Sequence, residues 1–450
     1  MIFTQTFVVL TVPAFLLAFI NSRSSSAEPL PLDEEDPDKA QGKHDPIKYR
    51  SFRNKYLIVY CLVMGGDWLQ GPYIYALYKS HGLNMHYISL LFMTGYLTSA
   101  LFGAFLGSLA DNYGRKRICL WFTVLYSIAS ILATVPNLAI LFFGKILAGI
   151  STSLLYSIFE SWMVSQHFKE DFSPFALSKT FSWATFLNGI TAISCGLFAD
   201  TVVERFGESA PFYAAVGCFG FGAALITIFW SENYGGTEVV IENCTFLWLP
   251  LINVFQKFEN TKDSLYRGIT HIIQDHKIAL VGAVQALFEG AMFSIISLWG
   301  PILEAADASH ELPYGIIFSS FMVSMMIGSS VFQYLTNRGW DPKTVGKITF
   351  FISGSALLST KLISTQTWIF ICFNIFEFGC GMYYPMIGTL RGTYIPEESR
   401  STIMNFFTIP WNIYVIFILL ASASTSASTL LTICSANLFM ALALIHLLRS

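Results

Sequence analysis

Apolar runs of about 20 residues, each long enough to cross a bilayer as a helix, recur along almost the whole 450-residue chain. They fall at 55–78, 87–110, 118–135, 138–163, 180–201 and 211–230. After a polar stretch at 231–277 they resume at 278–301, 313–336, 345–364, 367–390, 401–423 and 427–448. Lipid offers no water to backbone N–H and C=O groups, so each run must satisfy its own backbone as a helix. With 54% hydrophobic and 12% charged residues, the chain cannot cover a water-facing surface, which excludes a soluble enzyme. The expected fold is an all-α polytopic membrane protein. Two six-helix halves, 55–230 and 278–450, flank a central linker at 231–277.

A further apolar run, IFTQTFVVLTVPAFLLAFI, fills the segment 1–21. It reads either as a cleaved signal peptide or as an extra N-terminal helix with its N-terminus outside. No basic segment precedes it, as a signal peptide requires, so the uncleaved helix is the favoured expectation. Residues 22–54 are rich in Ser, Pro and acidic residues and read as a polar, disordered linker with a basic end. All but four of the 26 Lys and Arg lie on one side when the spans alternate from a cytosolic residue 55. The positive-inside rule therefore places the N-terminal flank of the core, the central linker and the C-terminus in the cytosol. The host membrane is expected to be the plasma membrane.

Between spans 2 and 3 stands GSLADNYGRKR, residues 107–117. Gly107 and Gly114 permit close backbone approach, and Asp111 can accept from the N–H groups that open the next helix. Arg115 and Arg117 then hold the cytosolic face. With six spans on each side of a long linker, this loop is similar to the signature of the major facilitator superfamily, with Asn112 where a basic residue is usual. Lys145 and Gly149 match a second signature of that family, in which Arg is commoner. Longer stretches, among them DWLQGPYIYALYKSHG, QALFEGAMFSIISLWGP and GMYYPMIGTLRGTYIPEE, resemble the molybdate-anion transporter branch from about residue 55 onward. The resemblance implies a secondary active transporter that moves a small oxyanion, molybdate, by alternating access. Where that branch has Arg-x-Pro in span 11, this chain has Thr408-Ile-Pro410.

The charges carry an internal repeat of their own. Lys55 precedes Asp67 by the same twelve residues that separate Lys277 from Glu289, putting both acids ~18 Å along equivalent spans. Spans 4 and 10 repeat the pattern with signs exchanged: Lys145 with Glu160, and Glu377 with Arg391. A charge at the bilayer centre costs at least ~2.5–3.5 kcal/mol on insertion scales, so such residues mark function by default. Asp67, Trp68, Gln70, Lys145, Gln285, Glu289 and Glu377 are the expected substrate and coupling residues of a central cavity. Gly107, Asp111, Gly114, Arg115, Arg117, Glu160 and Arg391 are the expected cytosolic gate.

An oxyanion needs hydrogen-bond donors and a cation, which Lys145 and the adjacent Ser151, Thr152 and Ser153 offer. Three central acids suit a dianion only if protons accompany it, so proton coupling is expected. Two other readings remain open. The acid-rich centre also fits an organic solute, and the Thr408 substitution also fits a transport-inactive sensor or scaffold. Neither a metal nor a cofactor is expected, because no paired His, Ser–His arrangement, phosphate loop or metal-ligand spacing accompanies the spans. The expected partners are the lipid bilayer, the oxyanion and protons, with no role for nucleic acid.

Overall fold

The computed structural model describes residues 2–27, 46–234, 270–307, 309, 311–396, 400–422 and 424–448. Within these, the side chains of 15, 18–27, 46, 103–112, 174, 175, 400–402 and 405 fall outside the description. All regular structure among the described residues is helical. Helix α1 is Ile2–Ala27 and α2 is Pro46–Gln70. A 3-10 turn at Gly71–Tyr73 follows, where Pro72 has no N–H to continue the ladder, and α3, Ile74–Ser80, completes the first span. Then come α4 (Met85–Tyr113), α5 (Arg115–Ala133), α6 (Leu138–Leu155), α7 (Ile158–Lys169), α8 (Pro174–Phe206) and α9 (Ala210–Phe229). The second half comprises α10 (His276–Ala306), α11 (Tyr314–Asn337), α12 (Pro342–Ser359), α13 (Gln366–Tyr394), α14 (Arg400–Ala421) and α15 (Ala427–Leu447).

Every expected span falls on a helix, and the fourth is divided between α6 and α7. Side-chain caps start many of them: Asn137 for α6, Ser173 for α8, Asp275 for α10, Thr365 for α13 and Ser426 for α15. Each supplies an acceptor to otherwise orphaned first-turn N–H groups. Residues 46–54, expected to belong to the polar linker, are helical and extend α2. Positions 28–45 and most of the central linker, 235–269, lie outside the described residues.

The two halves repeat one another in helix pairing. In the first half α2 packs on α9 and α8, α6 on α4 and α5, and α5 on α9. In the second half α10 packs on α15 and α14, α13 on α11 and α12, and α12 on α15. Span for span, these are the same pairs. Gly149 and Gly381 stand at corresponding positions, four residues beyond Lys145 and Glu377. A Cβ at Gly149 would meet the Gly95 carbonyl oxygen at 2.6 Å, and one at Gly381 would meet that of Met325 at 1.9 Å. Both glycines therefore let backbones approach closely, as small residues do between membrane helices.

The halves meet along α8 with α11 and along α4 with α14. Helix α1 stands apart from the repeat. It packs against α11, with the Phe3 ring edge-on to Phe370 of α13 at 4.9 Å between centroids.

Candidate functional site

Asp67 lies on α2 at mid-span and accepts a hydrogen bond from the Tyr126 hydroxyl of α5. Gln70 was expected to face a cavity beside it. Instead its amide donates to the Gly66 carbonyl at 2.9 Å and accepts from Ser130 Oγ at 3.0 Å. The pair clamps α2 to α5, because an amide buried to 8% exposure must find partners within the packed helices. Trp68 reaches the boundary between halves: its Nε1–H donates to Asn188 of α8 at 2.9 Å, and its ring rests on Phe318 of α11.

Lys145 projects from α6 away from any carboxylate contact among the described residues. Its Nζ lies 5.1 Å from the Phe92 ring centroid and 5.5 Å from that of Tyr78. Cation–π contacts of this kind contribute ~0.5–2 kcal/mol, and Lys145 also interacts electrostatically with Asp67.

In the second half, Glu289 of α10 accepts from Arg391 Nη2 at 3.0 Å, Tyr383 Oη at 3.0 Å and Gln285 Nε2 at 3.2 Å. Arg391 Nε donates to Gln285 Oε1 at 3.0 Å. Arg391 was expected at the cytosolic gate, apart from the central acids. Its helix position is near the end of α13, yet the long side chain turns inward and completes this network. Glu377 is the contrasting case. It is 5% exposed, with the Cys380 side chain as its hydrogen-bond partner and no cation paired with it among the described residues. A buried carboxylate there requires a cation or a proton to offset its desolvation.

At the end of the bundle carrying Arg115–Arg117, Arg115 and Glu160 line one cavity of about 560 Å³ with Tyr156, Ser157, Ser161 and Tyr234. Gly107 and Asp111 fall where side chains are outside the description. The first turn of α5 meets a residue that sequence reading did not single out. Glu232, just beyond α9, accepts from the backbone N–H of Lys116 at 2.8 Å and of Arg117 at 3.3 Å, and lies 3.8 Å from Arg117 Nε. Gly114 makes room with φ 97°, and a Cβ there would sit 2.6 Å from the Glu232 carboxyl carbon. Nearby, Lys48 of α2 pairs with Glu170 at 2.7 Å and holds that carboxyl below the ordinary range.

The opposite end is closed by two carboxylates that the sequence did not single out. Asp200 of α8 accepts from the backbone N–H groups of Gly315 and Ile316, both at 2.7 Å, and from the Tyr73 hydroxyl. One half thus caps a helix of the other. Glu304 of α10 accepts from Lys79 Nζ at 2.6 Å, Tyr75 Oη at 3.1 Å and Tyr314 Oη at 2.5 Å. Ser89 of α4 and Ser422, just past α14, meet at 3.0 Å on the same side. At the Arg115 end, α8 and α11 diverge instead around a crevice of about 680 Å³ lined by Phe181, Ser182, Ser329 and Gln333.

Comparison with known proteins agrees with this architecture. Residues 30–368 match a family model described as sugar transporters with 12 transmembrane segments. The chain is 30% identical over 390 residues to the molybdate-anion transporter of Takifugu rubripes, covering 83% of this chain and 80% of that one. It is 29% identical over 375 residues to the protein of that name from Xenopus tropicalis, covering 81% and 77%. Among solved structures, an auto-inhibited POT family peptide transporter superposes with TM-score 0.67 at 12% identity, covering 88% of this chain and 96% of that one. The nucleoside transporter NupG superposes with TM-score 0.66 at 12% identity, covering 88% and 100%. At such identities these two structures speak for the fold alone.

Proposed function

The chain belongs to the major facilitator superfamily, and from that premise we propose that it carries a small oxyanion, molybdate, across a membrane by alternating access. The substrate is taken from the relatives, which bear that name over about four-fifths of their length. The observation that carries the mechanism is the asymmetry of the α8–α11 boundary. The two helices are bound through Asp200 at one end and separated by a crevice at the other. With the basic loops on the cytosolic side, this is the inward-open form, and the Asp200 and Glu304 contacts are its outer gate. Substrate sites of such folds lie at the midplane between halves, and Asp67 with Lys145 in the first half and the Arg391–Glu289–Gln285 network in the second are the proposed residues of that site.

Proton coupling fits Glu377, the buried acid with no cation paired with it among the described residues. The plasma membrane is the proposed host. Labelled molybdate uptake into proteoliposomes, with Asp67→Asn and Glu289→Gln alongside the wild type, tests the reading. Saturable wild-type uptake that both variants impair supports it. Absence of uptake in the wild type, with transport of an organic solute instead, overturns it.

A further inference from the structure

Equivalent spans of the two halves each carry a tyrosine at an irregular point of the backbone ladder, a helix end in one and a proline in the other. Helix α6 ends at Leu155 and α7 begins at Ile158, with Tyr156 and Ser157 as the break. In α13, Tyr384 immediately precedes Pro385, which cannot donate to the Gly381 carbonyl. These are spans 4 and 10, equivalents in the repeat.

Both rings are open although they stand within the bundle: Tyr156 is 58% exposed and Tyr384 46%. Tyr156 lines the cavity of Arg115 and Glu160 and interacts electrostatically with Asp67, Tyr60 and Tyr384. Tyr384 interacts with Glu289, Glu377 and Arg391. The two phenols thus interact with one another across the halves, Tyr156 also with the first-half acid and Tyr384 with the second-half charge network.

Their hydroxyls are also unspent. Tyr126 and Tyr383 donate to Asp67 and Glu289, but among the described residues the Tyr384 hydroxyl meets only the Met292 thioether at 3.4 Å, a weak acceptor. Tyr156 has no side-chain hydrogen-bond partner among the described residues. Tyr156, an open polar group at a helix break that lines a cavity, is well placed to meet a solute, since irregular backbone within a membrane is tolerated where it lines a cavity.

We propose that Tyr156 and Tyr384 donate hydrogen bonds to the transported oxyanion, one from each half, and select a tetrahedral oxygen-bearing anion. The inference rests on the oxyanion reading above and adds the residues that read the anion's oxygens. A hydroxyl offers a short donor bond to an anionic oxygen without adding charge to a site already rich in acids. Because the donors lie in different halves, the anion itself bridges them, which ties occupancy to closure.

The test is labelled molybdate uptake by reconstituted wild type, Tyr156→Phe, Tyr384→Phe and the double variant, with thermal shift by added molybdate on the same preparations. Phenylalanine keeps the ring and removes only the donor. Each single variant should raise the uptake KM roughly tenfold, as expected for a lost bond to a charged group. The molybdate-induced rise in Tm should shrink in parallel, while the Tm without molybdate stays at the wild-type value. Wild-type uptake with KM unchanged in both single variants overturns this inference and leaves the oxyanion reading standing. A KM unchanged beside a lowered ligand-free Tm also overturns it, since that assigns the hydroxyls to structure alone. A wild type that neither imports nor is stabilised by molybdate overturns both readings together.

Discussion

Asp200 accepts the Gly315 backbone N–H at 2.7 Å, so a carboxylate from the first half caps the opening turn of a helix in the second. The bond joins the two halves directly, and they cannot part at that end while it holds. A carboxylate at a helix N-terminus gains from both the free N–H groups and the helix dipole.

Asp200→Asn should loosen this end selectively. The amide offers one acceptor where the carboxylate used two, and bonds to a charged acceptor contribute ~1.5–3 kcal/mol each. The population open at the outer end should rise about tenfold or more on that scale. A cysteine placed at Ser319, buried in this interface, should then react faster with a membrane-impermeant maleimide added outside. Equal labelling rates with and without the Asp200→Asn change would contradict the latch.

Glu304→Gln should act in the same direction but more weakly. Its partner Lys79 is 56% exposed at the side chain, and exposed ion pairs contribute only ~0–1 kcal/mol. The same labelling assay ranks the two: an effect of Glu304→Gln exceeding that of Asp200→Asn would reverse the assignment of the main latch.

Removing Arg391 should be costly because Glu289 stays behind. Breaking one side of a buried pair destabilises by ~3–5 kcal/mol. Arg391→Ala should therefore lower Tm, and adding Glu289→Gln should restore part of it by removing the stranded charge. Thermal melting of the two variants checks this, and a double variant less stable than Arg391→Ala would refute the coupling.

Glu377→Gln separates coupling from binding. If Glu377 carries the proton, the variant should lose the response of molybdate uptake to an imposed pH gradient and keep exchange of labelled for unlabelled molybdate. A gradient response of wild-type size would remove Glu377 from the coupling path.

The spans, the six-and-six division and the repeat of charges were legible because hydrophobic length and residue spacing are properties of the chain itself. The inter-half bonds were not, since the Gly315 N–H carries no side-chain signature of what it meets. A clue was nevertheless available. Helices α5 and α11 begin at RKRICLW and YGIIFSS with no side-chain cap of their own, Gly114 and Pro313 standing at the cap positions. Their open N–H groups had to find acceptors elsewhere, and Glu232 and Asp200 supply them. Arg391 misled for a different reason: counting residues along a helix locates the backbone, while a guanidinium can turn well away from its own level. Gln70 shared a face with Asp67 as expected, but that part of the face meets α5.

The most direct test of the account is a pair of spin-label distances across α8 and α11, measured with and without saturating molybdate. One pair joins Ser182 to Gln333 at the crevice, and the other joins Glu204 to Glu311 at the Asp200 end; the labelled positions are exposed. Rocking of the halves around a bound oxyanion predicts that the Ser182–Gln333 separation shortens as the Glu204–Glu311 separation lengthens. Distances at both ends that ignore molybdate, or that change in the same sense, would contradict alternating access driven by this anion.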